Sequence, residues 1–450
     1  MLFNSAIFLL FFAVVLLMHR SPLSWTYRKL FLLLASYFFY AAWNPPFVLL
    51  LWFSTLVDFL IGQALSRTPQ HLQRRRKSLL VVSLVANLGL LGYFKYGLFA
   101  LENTKTLAGL LGWNFEPIVV SIVLPVGISF YTFQTISYTL DIYNGRINAS
   151  KSFLNYALYV TFFPQLVAGP IVRSEEFLPQ CQKEEKPGWE LVGLGLFVLT
   201  LGLFQKVVLA DLFLAPLSDA VFAGRYSANI INHATGTLAF AGQILFDFSG
   251  YTNCAIGAAL CLGFRLPVNF HSPYAAIGLR DFWRRWHITL GAFLRDYVYI
   301  PLGGNRHGLW LSLRNLLVVW ILTGLWHGAS YGFLLWGLHC FFFLAISRLW
   351  LDGFFERQKW CGYLFTFFTF SLGLLHFRPE EILFTPAVPG GAFFSALLPV
   401  LIFSSMLLML DLWQYLRPRQ LTKALHSPPT GGFLLGGGWI LIALFTQDQK

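Results

Sequence analysis

This 450-residue sequence has little charge: only 12% of its residues are Asp, Glu, Lys or Arg, while 56% are hydrophobic. A soluble chain carries about one quarter charged residues. So much apolar surface exceeds what one aqueous core can bury, so lipid must cover the rest. Long polar stretches are missing too. The longest, Ser174–Glu190, is too short to fold alone, which excludes a separate soluble domain. The five cysteines (Cys181, Cys254, Cys261, Cys340 and Cys361) include no pair with metal-ligand spacing and read as free thiols in apolar helices. No half of the chain repeats the other, which weighs against a transporter built from matched broken helices.

What is present is a series of apolar runs. Leu79–Leu91 is interrupted only by Ser83 and Asn87, and Val400–Leu410 only by Ser404 and Ser405. Runs near 20 residues with almost no charge read as spanning helices. Leu2–Met18 follows no basic residue and precedes no small-residue cleavage site, so it is expected to be a retained first span.

The formal net charge of +12 sits in short clusters between these runs, the pattern of cytoplasmic loops and not of a nucleic-acid surface. Placing Arg20, Arg28 and Lys29 in the cytoplasm puts the N-terminus outside. The expected crossings lie near 2–18, 30–43, 46–64, 78–100, 117–140, 192–213, 236–262, 315–327, 331–350, 359–377, 392–410 and 432–445. The fold class is therefore all-α: one membrane-embedded domain over 1–450 with about 11–12 transmembrane helices. Phe153–Gly169, interrupted by Pro164, is expected to be re-entrant or buried, because broken backbone at membrane depth needs protein or water around it.

Four segments break the apolar rule. Leu124–Gln134 combines Pro125 and Gly127 with Ser129, Tyr131, Thr132 and Gln134, which can bridge helices or line a cavity. Phe246–Tyr251 places Asp247 inside an apolar span, where a carboxylate needs a partner; an ion pair with one of the arginines is expected. In Asp281–Leu290, a continuous helix would put Trp283, Trp286, His287 and Leu290 on one face at the interface, with Arg284 and Arg285 elsewhere. The fourth segment is Thr323–Ser330. His327 lies beyond Arg314 by about 20 Å at a rise of 1.5 Å per residue, in a hydrocarbon core about 30 Å thick. Gly324 and Gly328 are expected to leave open space beside it. An imidazole out of water keeps its neutral form, the form that takes a proton from a hydroxyl. No carboxylate or second histidine lies within a helical turn of His327, which gives metal binding little support. A histidine at such a position can also serve as a helix-to-helix hydrogen bond.

Together these segments resemble the membrane-bound O-acyltransferase (MBOAT) family, in particular its bacterial alginate O-acetyltransferase-like branch. The resemblance runs through Leu124–Asp141, Phe162–Arg173, Phe246–Gly257, Gly263–Tyr274, Asp281–Arg306 and Gly324–Ala329, with a motif core over about 124–330. It implies a funnel-shaped membrane core with two histidines near a tunnel: His327 at the position treated as catalytic and His287 as the second. It also implies a cytoplasmic acyl donor, acetyl-CoA, with no bound cofactor, and an exopolysaccharide acceptor reached through a periplasmic acetyltransferase partner. A bacterial inner membrane is the implied location.

On this reading His327 is the general base and His287 helps to bind or orient the thioester. Arg284, Arg285, Trp326, Asp247 and Gln134 complete the candidate substrate- and donor-binding set, and no metal is expected. Asn253 stands where an acidic residue is expected after the Ser-Gly-Tyr-Thr run, so no carboxylate role is carried over to it. The alternatives are D-alanyl or other acyl transfer to a cell-envelope acceptor and, from another class, a polysaccharide or small-molecule transporter.

Overall fold

The computed structural model describes residues 1–116, 122–184, 186–224 and 230–378, and among them there are helices and no strands. The crossings expected near 392–410 and 432–445 lie outside the described residues. Seven of the described helices are long and apolar enough to cross a membrane. The chain divides into two compact units, one of residues 1–187 with 262–266 and 328–330, the other of 188–261, 267–327 and 331 onward.

In the first unit the helices are α1 (Ala6–His19), α2 (Trp25–Ala41), α3 (Pro45–Arg67), α4 (Gln73–Leu110), α5 (Ile128–Tyr143), α6 (Phe153–Thr161), α7 (Phe163–Leu166) and α8 (Ser174–Gln182). Three expected crossings are thus short helices of 14, 17 and 16 residues (α1, α2 and α5). In the run expected to cross near 117–140, the described residues 122–127 are not helical and α5 begins at Ile128. The interrupted stretch breaks at Phe162, between α6 and α7, and its helical residues are buried except Phe153 and Leu154. Protein surrounds that broken backbone, which membrane depth demands.

Basic residues expected in loops do structural work here. Arg28 and Lys29 fall in the first turn of α2 and are buried; Arg28 pairs with Glu184, and Lys29 Nζ donates to Asn155 Oδ1 at 2.6 Å. Arg76 donates to the carbonyls of Leu65, Thr68, Ile142 and Tyr143 at 2.9–3.2 Å, binding the C-terminal ends of α3 and α5, where unpaired carbonyls and the helix dipole favour a cation.

Asp58 on α3 is fully buried. It accepts from Ser83 Oγ, from Asn87 Nδ2 at 2.6 Å and from Thr139 Oγ1 at 2.6 Å, so one carboxylate ties α3 to α4 and α5. Ser54 and Thr135 hydroxyls donate to Asn87 Oδ1 at 2.6 and 3.1 Å and complete the network.

The second unit holds α9 (Trp189–Phe222), α10 (Ile230–Cys261), α11 (Leu279–Arg285), α12 (Ile288–Leu294), α13 (Leu309–His327), α14 (Tyr331–Arg357) and α15 (Lys359–Phe377). Cys254 and Cys261 face α9, their thiols near the carbonyls of Leu199 and Val192. All five cysteines are free, and Cys361 alone among them is exposed.

Gly324 does not border the open space expected of it. A Cβ there would stand 2.3 Å from the Phe333 carbonyl oxygen, and one on Gly337 would stand 2.4 Å from that of Trp320. The two glycines let α13 and α14 touch backbone to backbone. Gly324→Ala is therefore expected to push the hairpin apart at a cost of about 1–3 kcal/mol, the range for overpacking. A lower melting temperature of the purified variant in detergent would record this, and an unchanged one would contradict it.

Candidate active site

The segment expected to be one helix is broken at its histidine. α11 ends at Arg285, Trp286 is extended, and His287 takes a left-handed conformation at φ 45° and ψ 53° before α12 begins. A neighbouring strip of main chain causes the break. Asn269 O accepts from Ile288 N at 3.0 Å, and Arg285 O accepts from His271 N at 3.0 Å, so these groups are diverted from a helical ladder. A non-glycine residue in this region costs about 1–3 kcal/mol, and such strain collects at functional sites.

The shared face of Trp283, Trp286, His287 and Leu290 consequently does not form. Trp283 packs on Trp320 with ring centroids 4.5 Å apart, Trp286 on Phe370 at 4.7 Å, and His287 turns to Phe248 at 4.7 Å and Trp326 at 5.4 Å.

His287 lies outside the spanning helices and is only 3% exposed. Its Nδ1 is 3.1 Å from Asn269 Oδ1, which also accepts from Thr289 N at 3.2 Å and Thr289 Oγ1 at 3.0 Å. Burial, with His327 nearby, holds the His287 imidazole well below the usual histidine range.

His327 is the last residue of α13, about 27 Å along the helix from Leu309 at 1.5 Å per residue. It therefore sits at a helix end beside the turn to α14, further along than a count from Arg314 implies. Trp336 at 4.8 Å, Trp326 at 5.1 Å, Phe377 at 5.2 Å and Phe333 at 6.3 Å surround its ring, which stays half-buried. Trp326 is buried and packs against both histidines. A sealed imidazole beside a half-open one, in an aromatic shell, is an arrangement suited to moving a proton between two reactants.

The other predicted residues have surroundings of their own. Arg284 is exposed, whereas Arg285 pairs with Asp281 at 2.9 Å. Asp247 has its ion pair, with Lys206 and not with an arginine, and its side chain is 45% exposed. Lys206 also holds Asp211 at 2.8 Å. Five residues apart, those two would diverge on an α-helix; the π-helical stretch Phe204–Leu214 widens the turn and brings them together. Gln134 belongs to the first unit, where it is buried and its backbone carbonyl accepts from Tyr159 Oη at 3.2 Å.

Asn269 and Lys206 escaped the sequence reading. Asn269 lies within the Gly263–Tyr274 motif but carries no charge to mark it, and Lys206 is a lone cation in an apolar run. An intramembrane lysine is itself a signal that a carboxylate faces it.

A multi-pass helical membrane protein with paired imidazoles in an apolar shell falls in the class of membrane-embedded group-transfer enzymes. The chain belongs to the membrane-bound O-acyltransferase family, whose model matches residues 32–362. It is therefore a membrane-bound O-acyltransferase. It is 37% identical over 393 residues to the peptidoglycan O-acetyltransferase of Helicobacter pylori, covering 81% of this chain and 72% of that protein. It is 37% identical over 389 residues to the probable alginate O-acetylase AlgI of Pseudomonas aeruginosa, covering 85% and 73%. A more distant likeness, 26% over 236 residues, is to the teichoic acid D-alanyltransferase of Bacillus subtilis, covering 48% and 56%.

Proposed function

We propose that the enzyme transfers an acetyl group from cytoplasmic acetyl-CoA to a glycan hydroxyl outside the bacterial inner membrane, with an alginate-like or cellulose-like exopolysaccharide as the final acceptor. The observation that carries this reading is the half-buried His327 at the end of a spanning helix, beside the sealed His287, in a chain similar to O-acetyltransferases over most of its length. His327 takes the proton of the attacking hydroxyl, the ester C–O bond forms as the thioester C–S bond breaks, and the proton passes to the departing sulfur. That hydroxyl belongs to the sugar itself or to a serine of a periplasmic acetyltransferase that passes the group on. Exposed Arg280 and Arg284 suit the phosphates of the donor by charge attraction. The N-terminus then lies outside, as the basic clusters require.

The likeness to the Helicobacter enzyme favours a second acceptor, peptidoglycan, through the same chemistry. D-alanyl transfer has the support of more distant relatives, at 26% identity.

Membrane vesicles given acetyl-CoA labelled in the acetyl group are expected to place label in ester linkage on the added polymer. Label on alginate or cellulose supports the first acceptor, and label on peptidoglycan alone supports the second. Passage of polymer across the vesicle with no thioester turnover would overturn the enzymatic reading in favour of a transporter.

A further inference from the structure

Asn269 holds the His287 region at four points. Its main-chain oxygen accepts from Ile288 N, and its side-chain Oδ1 meets three groups at once: Thr289 N, Thr289 Oγ1 and His287 Nδ1. One of the three removes the usual ambiguity of an amide. The Thr289 main-chain N–H can only donate, so the atom facing it at 3.2 Å must be the amide oxygen and not the nitrogen. An oxygen with only lone pairs leaves His287 Nδ1 one role, that of donor. A neutral imidazole carries one N–H, so its second nitrogen, Nε2, must then carry the lone pair.

That second nitrogen is buried and has no hydrogen-bond partner among the described residues. A sealed acceptor with nothing to accept from is costly, about 1–3 kcal/mol, and such groups in a native structure call for a role. Around the ring stand Phe248 from α10 and Trp326 with His327 from α13. Of these, His327 is the titratable one. A basic nitrogen kept dry beside the half-open histidine can accept a hydrogen bond from the N–H that His327 carries on its other nitrogen, a bond that strengthens when His327 takes the hydroxyl proton and becomes a cation. The backbone strain at His287 fits the same purpose, since the left-handed turn presents the ring to Asn269 on one side and to Trp326 on the other.

We propose that Asn269 is a positioning residue that locks His287 as the Nδ1–H tautomer and so aims the Nε2 lone pair into the acyl-transfer site. The assignment rests on the acyl-transfer reading above. It gives His287 an electrostatic task, support of the cation formed on His327, in place of the thioester-binding one expected from sequence.

Two variants test it in the purified full-length protein with acetyl-CoA as donor. Asn269→Ala removes the acceptor and frees the tautomer. It is expected to lower kcat by about ten- to a hundredfold, the range for loss of a group that orients a histidine, with KM for acetyl-CoA little changed. Asn269→Asp keeps an oxygen before all three donors but adds a negative charge beside the ring, which favours the imidazolium. The acidic limb of the kcat/KM profile should therefore move to higher pH by about one unit or more. A merely structural role would leave that limb in place.

If the alanine variant loses its monodisperse elution, the aspartate variant decides alone. Wild-type kcat in Asn269→Ala, or an unshifted acidic limb in a well-folded Asn269→Asp, would overturn the assignment. Failure of the wild-type protein to turn over acetyl-CoA, by contrast, would sink the acyl-transfer reading itself.

Discussion

His327→Ala is expected to insert, purify and elute as the wild type does, yet to lose polymer acetylation by at least about a hundredfold, since a positioned general base contributes about 10²–10⁴. The fold should tolerate the change because the ring is half-buried at a helix end and not a sealed core group. Its neighbours Trp336 and Phe377 also pack on each other, at 5.2 Å, without it. Label transfer from acetyl-CoA, scored beside the melting temperature, separates lost chemistry from lost structure. Acetylation near the wild-type rate in this variant would remove His327 from the mechanism.

The largest effect on stability should come from a residue with no part in the reaction. Asp58→Leu removes the one acceptor shared by Ser83, Asn87 and Thr139 and leaves their donors facing an apolar side chain. Each buried polar group stranded in this way costs about 1–3 kcal/mol. Three of them approach the whole margin of a typical domain, about 5–15 kcal/mol. The variant is expected to melt far below the wild type in detergent or to fail to accumulate in membranes. Asp58→Asn, which keeps one carbonyl oxygen in place, should fall between the two. A melting temperature within about 2 °C of wild type for Asp58→Leu, well below the shift expected for even 1 kcal/mol, would show that α3, α4 and α5 hold together by apolar packing alone.

Some of this was readable before any coordinates. The apolar runs marked the long helices, and the run expected near 359–377 coincides with α15. Pro164 and its neighbours announced the broken buried segment. Asp247 announced an ion pair but not its partner, because Lys206 lies on another helix, far away in the sequence. Ser83 and Asn87 stood out as the only polar breaks in their run, but what they serve, the Asp58 carboxylate, lies on the preceding helix. The helical face drawn through Trp283, Trp286, His287 and Leu290 failed for a related reason. Periodicity assumes an unbroken ladder, and the strip at Asn269–His271 takes that ladder's hydrogen bonds.

The sequence by itself determined that this chain lives in lipid and roughly where its helices run, since transfer from water is a property of each side chain and adds up along a run. Tertiary structure alone decided which buried polar group answers which. It sealed His287 behind Asn269, left His327 partly open, and spent Gly324 on a helix contact in place of a cavity. Those outcomes depend on hydrogen bonds and close approaches between segments far apart in the chain, which no local pattern encodes.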